Sequence, residues 1–548
     1  MGSNQSAPRH PSLQCRAMLE SVSKAGVGDV LDEKYDKTFL DNYRGRRVGM
    51  ILHPTSLPGP YGSGEIGKEC YRMLDWMESA GMQCWQVLPI VPPDQMYYSP
   101  YTGLDANCGN PMLISLEELK NLNLLRDHEF PEAIPGDKAD FQKCAEIKEP
   151  LLNLAARRLL GDEEFEELRN GMNEFRKAKP WVEDSALFEC LRRDEEYAGM
   201  VWWDWPEPIR LREEQAMKEA KEKFQNQINE FIALQFLFDK QWKAMKAYAN
   251  GKGIKIMGDM PIYVGGHSAD VWANQSLFEL SKTGKPSLVS GVPPDAFSAT
   301  GQLWGTPLYD WEAHQKEDFN WWAQRLGRAL ELFDETRIDH FRGFAGYWAV
   351  DSEEETAING VWKKGPGVAL FEKLKEKIGD VPIVAEDLGV ITPDVHVLRE
   401  AIGAPGMVVL QFAFGSKPDN THLTHMHNEN SVVYPGTHDN ETTVGWYQDS
   451  CEQSEREFLQ EYLRMNGDDI AWALIRESMK SVSKTCMIML QDLMRLDNSG
   501  RMNSPGTAEG NWDWRVTDYN IWENLAGDAK ELRKMARIYN RLPKGWDY

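Results

Sequence analysis

The sequence predicts an α/β protein: a (β/α)8 TIM barrel with inserted subdomains and no C-terminal β-domain. Two observations carry this expectation. Eight short apolar runs, rich in β-branched residues, alternate with stretches of helical periodicity, the pattern of a parallel sheet covered by helices. Three acids, Asp339, Glu386 and Asp439, each stand at the C-terminal end of one such run. In a barrel all these ends open onto one face, and that face holds the active site.

The first run is RVGMILH (47–53) and the second QCWQVLPI (83–90), with helical spacing in CYRMLDWMESAG (70–81) between them. The third, IKIMGDMPIYV (254–264), follows a long periodic segment over 228–251 that ends at Gly251, as helices often do. TRIDHF (336–341) and VPIVAED (381–387) bracket VALFEKLKEKIG (368–379), which also ends at glycine. GMVVLQFAF (406–414), SVVYPGTHD (431–439) and CMIMLQD (486–492) complete the set, and only GRMNSPGTAEGNWDWR (500–515) and a helix follow.

Two gaps are too long for barrel loops. Residues 112–222 are charged and helix-forming, which predicts a helical insertion. Residues 265–318 are rich in Gly, Pro and Ser, and within them Pro293–Pro294 and the flanking glycines argue against any regular element over 289–311. A structured loop of that length is more often functional than idle. Residues 1–45 stand apart as a leader and N-terminal extension, with no acid among the first nineteen, and 46–548 form the barrel.

Lys plus Arg number 61 and Asp plus Glu 85, a formal charge of −24. Such a surface repels nucleic acid and anionic membranes and suits a neutral ligand, so neither of those partners is expected. No apolar run reaches the roughly 18–20 residues of a membrane span. The 8 cysteines are scattered without a CxxC pair and read as reduced, mostly buried thiols. The 20 Trp and 18 Tyr supply flat rings for sugar faces, although for any single ring the core is the better reading.

Three acids on one rim equip a site to break a glycosidic bond with retention: a nucleophile, a proton donor and a group that holds the ring. Arg337 precedes Asp339 by two, so both side chains point the same way. An arginine there favours the ionised carboxylate a nucleophile requires, and a structural ion pair fits the motif equally well. Glu386 adjoins Asp387, so one faces the site while the other caps the following helix; both capping is the other reading. A partly desolvated carboxyl among acids has the raised pKa of a general acid. His438, Asp439 and Asn440 suit sugar hydroxyls or a simple turn. Asp259 ends the third run and either orients Arg337 or a hydroxyl or anchors its loop. Tyr101, in SPYTGLDANCGNP (99–111), stacks on a sugar or packs in the core; Ser99 and Asn110 of that segment join it as candidate substrate-binding residues. His422, His425 and His427 have an HxxHxH spacing with no completing carboxylate motif, so hydrogen-bonding or surface histidines are expected rather than a metal.

These segments together resemble the 4-α-glucanotransferases of glycoside hydrolase family 77, the amylomaltases or disproportionating enzymes. HPTSLPGPYG, SPYTGLDANCGNP, GDMPIYV, SADVWAN, GVPPDAFSATGQLWG, RIDHFRGF, AEDLG, VLQFAF, GTHDN, RMNSPGT and GNWDWR run in order from about residue 47 to residue 515. DANCGNP and the closing segments are most similar to the plastid-type enzyme of plants and algae. The resemblance implies double displacement on α-1,4-glucans, with Asp339 as nucleophile, Glu386 as acid/base and Asp439 as transition-state stabiliser. It places Tyr101, Asp259, Arg337 and His438 around the sugar at the cleavage point. Pro294 to Trp304, including Asp295 and Phe297, matches a mobile lid. It implies maltooligosaccharide substrates with glucose as acceptor, no cofactor or metal, and a monomer or homodimer. The compartment is the plastid stroma if residues 1–28 act as a leader and the cytoplasm otherwise. An α-glucan hydrolase and an inactive glucan-binding protein are the alternatives. Thr306, where the family often has Asn, and THLTHMH, in place of HLPHN, depart from the pattern.

Overall fold

The structure is a computed structural model that describes residues 45–294, 298–415, 417–465 and 469–543. The expected leader, along with Asp295 and Phe297, lies outside the described residues. From Arg47 onward the chain is one unit. Its described strands are β1 (Arg47–Ile51), β2 (Cys84–Gln86), β3 (Lys255–Pro261), β4 (Leu288–Val292), β5 (Gln302–Pro307), β6 (Glu335–Asp339), β7 (Gly346–Asp351), β8 (Val361–Lys364), β9 (Ile383–Ala385), β10 (Gly406–Val409), β11 (Ser431–Tyr434) and β12 (Thr485–Met489).

Eight of these form a parallel sheet in the order β10-β11-β12-β1-β2-β3-β6-β9. The end strands meet: the Ala385 N–H donates to the Pro405 carbonyl at 2.9 Å, and the Met407 N–H to the Asp387 carboxylate at 2.8 Å. The sheet is therefore a (β/α)8 barrel, and each of the eight predicted runs holds one of its strands. The ladders are shorter than the runs because the chains diverge at the rim. QCWQVLPI pairs only over Cys84–Gln86, although the Val87 N–H still reaches the Met257 carbonyl at 3.0 Å.

Alternation along the strands sends Cys84, Met257, Val384, Met407, Val432 and Met487 into the barrel, where they form one buried cluster. At its N-terminal end Arg47 pairs with Glu335 at 2.7 Å and donates to Thr485 Oγ1 at 2.9 Å. Outside, the helices Gln225–Gly251 and Asn320–Leu332 pack against β3. Gly258 permits that approach, since a Cβ there would stand 2.1 Å from the Phe333 ring.

Helices fill the stretch between β2 and β3, among them Phe141–Gly161, Glu166–Ala178 and Trp181–Arg193. The stretch after β3 differs from expectation. Residues 289–311 are not irregular: β4 and β5 pair antiparallel, and β7 and β8 extend them to a four-stranded sheet of order β5-β4-β7-β8. Pro293 and Pro294 lie just beyond β4, where no ladder bond is lost. Gly301 returns the chain at φ +68°, and a Cβ there would stand 2.3 Å from the Val292 carbonyl oxygen. The seven described cysteines are buried. No described helix is long and apolar enough to cross a membrane.

Candidate active site

The register of the barrel assembles the site. Asp259 on β3 is the ladder partner of Arg337 on β6, so the two side chains share one inward-facing layer. Arg337 Nη1 lies 2.7 and 2.6 Å from the two Asp259 oxygens, and Nη2 donates to Asp339 Oδ1 at 2.7 Å. One buried guanidinium thus holds both acids in place. Burial works against its charge, but Asp259 and then Asp339 outweigh it and hold its pKa well above the usual arginine range.

Glu386 follows β9 and is held by backbone. Its Oε2 accepts from the His340 N–H at 2.8 Å and its Oε1 from the Leu388 N–H at 2.9 Å. His340, the residue after Asp339, adopts left-handed geometry at φ 54°, rare for a non-glycine residue. That turn aims its N–H at Glu386. Burial first, and the nearby Asp339 charge second, push the Glu386 carboxyl up to about 7, against the pull of Arg337 and the two N–H groups. A carboxyl of this kind carries a proton near neutrality. Its neighbour Asp387 faces away, as strand alternation requires, yet it caps no helix. It accepts from the Met407 N–H and pairs with Arg399 at 3.2 Å, bracing the barrel seam.

On the opposite side, Tyr101 Oη donates to Asp259 Oδ2 at 2.9 Å and lies 2.6 Å from His438 Nε2. The tyrosine proton is committed to Asp259, so His438 donates from Nε2 to the phenol oxygen. Its buried Nδ1 has no hydrogen-bond partner, in keeping with a bare nitrogen, and burial lowers the His438 pKa, so the ring is neutral. The two rings stack at 5.5 Å and 12°. Asp439 Oδ2 is 3.4 Å from His438 Nε2, and Asp439 Oδ1 accepts from Asn503 Nδ2 at 2.6 Å.

The remaining predicted residues divide. Ser99 Oγ accepts from the Tyr101 N–H at 3.2 Å and so shapes the loop that presents the phenol. Asn110 accepts from the Met112 N–H at 3.0 Å as the cap of a short turn, and Asn440 accepts from the Thr437 N–H and hydroxyl at 2.9 Å. Both amide oxygens are spent within their own loops. Pro294 is exposed at the tip of the β4–β5 hairpin. Trp304 on β5 is 37% exposed and meets the His340 ring edge-on at 4.7 Å, which brings this hairpin to the residue beside Asp339. His422 accepts from the Val409 N–H, His425 meets Tyr462 and the Pro418 carbonyl, and His427 meets Ser481 and the His422 carbonyl. No described group of three or more His, Cys, Asp or Glu is placed to hold a metal.

Sequence reasoning missed Asn503, Trp512 and the His340 backbone. Trp512, at φ 69°, sets its ring 5.4 Å from Tyr101 and 6.3 Å from His438. Both Asn503 and Trp512 sit in the Gly/Pro/Asn-rich segment after the eighth strand. Its signal was composition unsuited to any regular element so late in the chain.

Acids gathered on the C-terminal rim of a (β/α)8 barrel define a class, the barrel enzymes of glycosidic bonds. Comparison with known proteins narrows it. The family model for 4-alpha-glucanotransferases, glycoside hydrolase family 77, matches residues 52–520. A chloroplastic/amyloplastic 4-alpha-glucanotransferase of Solanum tuberosum is 51% identical over 504 residues, 91% of this chain and 87% of that one. The 4-alpha-glucanotransferase of Thermus thermophilus is 44% identical over 508 residues, 91% and 99% of the two chains. The amylomaltase of Streptococcus agalactiae, solved in complex with acarbose, superposes with a TM-score of 0.86 at 34% identity, covering 91% of this chain and all of that one (100%). The chain belongs to the 4-alpha-glucanotransferase family.

Proposed function

We propose that this 4-alpha-glucanotransferase moves α-1,4-glucan segments between maltooligosaccharides by a retaining double displacement in which Asp339, Glu386 and Asp439 do the chemistry. The observation that carries the reading is the shared anchoring of the first two acids: Arg337 fixes Asp339, and the N–H of the next residue fixes Glu386. In the first step Glu386 gives its proton to the glycosidic oxygen while the Asp339 carboxylate attacks the anomeric carbon, leaving a glycosyl ester and a free sugar hydroxyl. In the second, Glu386 takes the proton of an acceptor hydroxyl, which displaces Asp339 and restores both acids. Asp439, steered by Asn503, accepts hydrogen bonds from the ring hydroxyls as positive charge builds. Tyr101, fixed by Asp259 and His438, offers its ring to the sugar being cleaved.

Transfer requires that an acceptor sugar reach the ester before water does. The β4–β5 hairpin, with Trp304 on His340, is suited to cover the acceptor side as a lid. Glucose is released when it is the leaving sugar and consumed when it is the acceptor. The relatives named chloroplastic/amyloplastic, together with the acid-free first nineteen residues, support a plastid stroma location.

Incubation with maltotriose tests the function. The parent protein is to give glucose together with longer oligomers, and Asp339→Asn is to fold normally and lose nearly all of both products. Reducing ends that rise without longer oligomers would make the chain a hydrolase. Near-parental turnover by Asp339→Asn would remove Asp339 from the nucleophile position.

A further inference from the structure

The chain that leaves Asp339 leads into a second aromatic surface that the chemistry above does not use. Arg342 is buried, and its guanidinium lies 4.0 Å from the centre of the Trp362 ring on β8. That guanidinium is itself fixed, with Nε donating to the Gly346 carbonyl at 3.3 Å and Nη1 to the carbonyl of Val390. Val390 belongs to the loop that follows Glu386. Trp348, the ladder partner of Trp362 across β7 and β8, meets it edge-on at 5.2 Å and 65°. Trp348 is anchored in turn through Nε1 to the Ala357 carbonyl at 2.8 Å.

Trp362 therefore has one face on a cation and an edge on a second indole, while 46% of the residue stays open to solvent. It sits on β8, an edge strand of the smaller sheet, where proteins more often place charge than an exposed indole. The surface is tied to the cleft through the chain, because Arg342 lies three residues after Asp339 and Val390 four after Glu386. Lys364, two residues along and so on the same face, adds an ammonium donor.

We propose that Trp362 is an aromatic platform for a distal sugar of a long α-glucan, outside the cleavage point, and that it sets the enzyme's preference for long over short chains. The inference rests on the glucan reading above. A ring already immobilised loses little freedom on binding and matches the apolar face of a pyranose, whose hydroxyls remain free for Lys364 and water. A second copy of the chain is the other occupant, and the test separates it.

The test compares amylose with maltotriose as donors. Trp362→Thr removes the ring and keeps a residue suited to a strand edge. Its KM for amylose is to rise about five- to tenfold, while maltotriose turnover stays within about twofold, and Trp362→Phe is to keep most of the amylose affinity. Unchanged amylose kinetics in Trp362→Thr would overturn the proposal. So would an equal loss on both donors, which would make the ring structural, or a parent dimer that the substitution dissociates. Loss of maltotriose turnover in Asp339→Asn tests the catalytic reading separately. Should Trp362→Thr fail to fold, hydrogen exchange of the Asp339→Asn protein with maltoheptaose replaces it: protection over 360–366 is expected, and no change there would refute the platform.

Discussion

Glu386 is gripped by two backbone N–H groups, yet burial and the neighbouring Asp339 still lift its pKa to about 7. The protonated form is the one that can start the reaction, so transfer is to fall as pH rises through about 7. The same shift is a statement about stability. Glu386 holds its proton more tightly folded than unfolded. It therefore costs nothing below its ordinary value of 4.5, and stability is lost progressively as pH rises from there through about 7. Glu386→Gln removes that cost. Its melting temperature, minus that of the parent, is to grow across this window; a difference flat with pH would mean that Glu386 titrates as an exposed glutamate. At this scale the acids were legible because each closes an apolar run, and Arg337 because a two-residue offset fixes its direction. The capping duties of Asn110 and Asn440 were not legible, since Asn at a loop serves a ligand and its own backbone with the same atoms. Asp387 was read correctly in direction and wrongly in partner. Its partners, Met407 and Arg399, come from elements beyond the local pattern.

Among elements, the eight barrel strands announced themselves and the smaller sheet did not. Barrel strands are buried on both faces, so each writes a continuous apolar run. By contrast β5 buries only one of its six residues and carries Gly305 at φ +72°, and β8 reads VWKK with three of four residues exposed. β5 pairs with β4 alone, while β4 and β8 both pair with β7, which lies well beyond the hairpin in sequence. The proline pair that argued against structure instead marks the hairpin's tip. Trp304 projects from this sheet onto His340, where the proposed lid would close. Trp304→Ala is therefore to raise the ratio of hydrolysis to transfer, beyond any fall in both rates. Free glucose and total reducing ends, followed over time with maltotriose, measure it. An unchanged ratio in folded protein would place water exclusion elsewhere.

For the whole molecule, the two ends of the barrel serve different purposes. The C-terminal rim carries the acids, while the N-terminal end is sealed by the last described turn of the chain. Arg541 is fully buried there and donates to the carbonyls of Arg47, Met479, Ser481, Lys484 and Ser483 at 2.9–3.0 Å. It ties β1 to the approach of β12. Arg541→Ala strands those acceptors in a dry site and is to cost at least about 3 kcal/mol in denaturant unfolding. Turnover per folded molecule is to stay at the parent level, because the bottom of a barrel bears on stability and not on chemistry. A fall in turnover without a fall in stability would contradict this division. The barrel was legible at this scale from strand–helix alternation alone. The Arg541 seal was not, because its partners are carbonyls, which leave no mark in a sequence.

The central claim is that Asp339 carries the sugar between donor and acceptor. Glu386→Gln supplied with α-maltosyl fluoride tests it most directly, since the fluoride leaves without acid help and the ester then lacks a base to clear it. Digestion and mass spectrometry are to find the maltosyl group on the peptide that contains Asp339. Fluoride release with that peptide unlabelled, or with the label on another acid, would contradict the account.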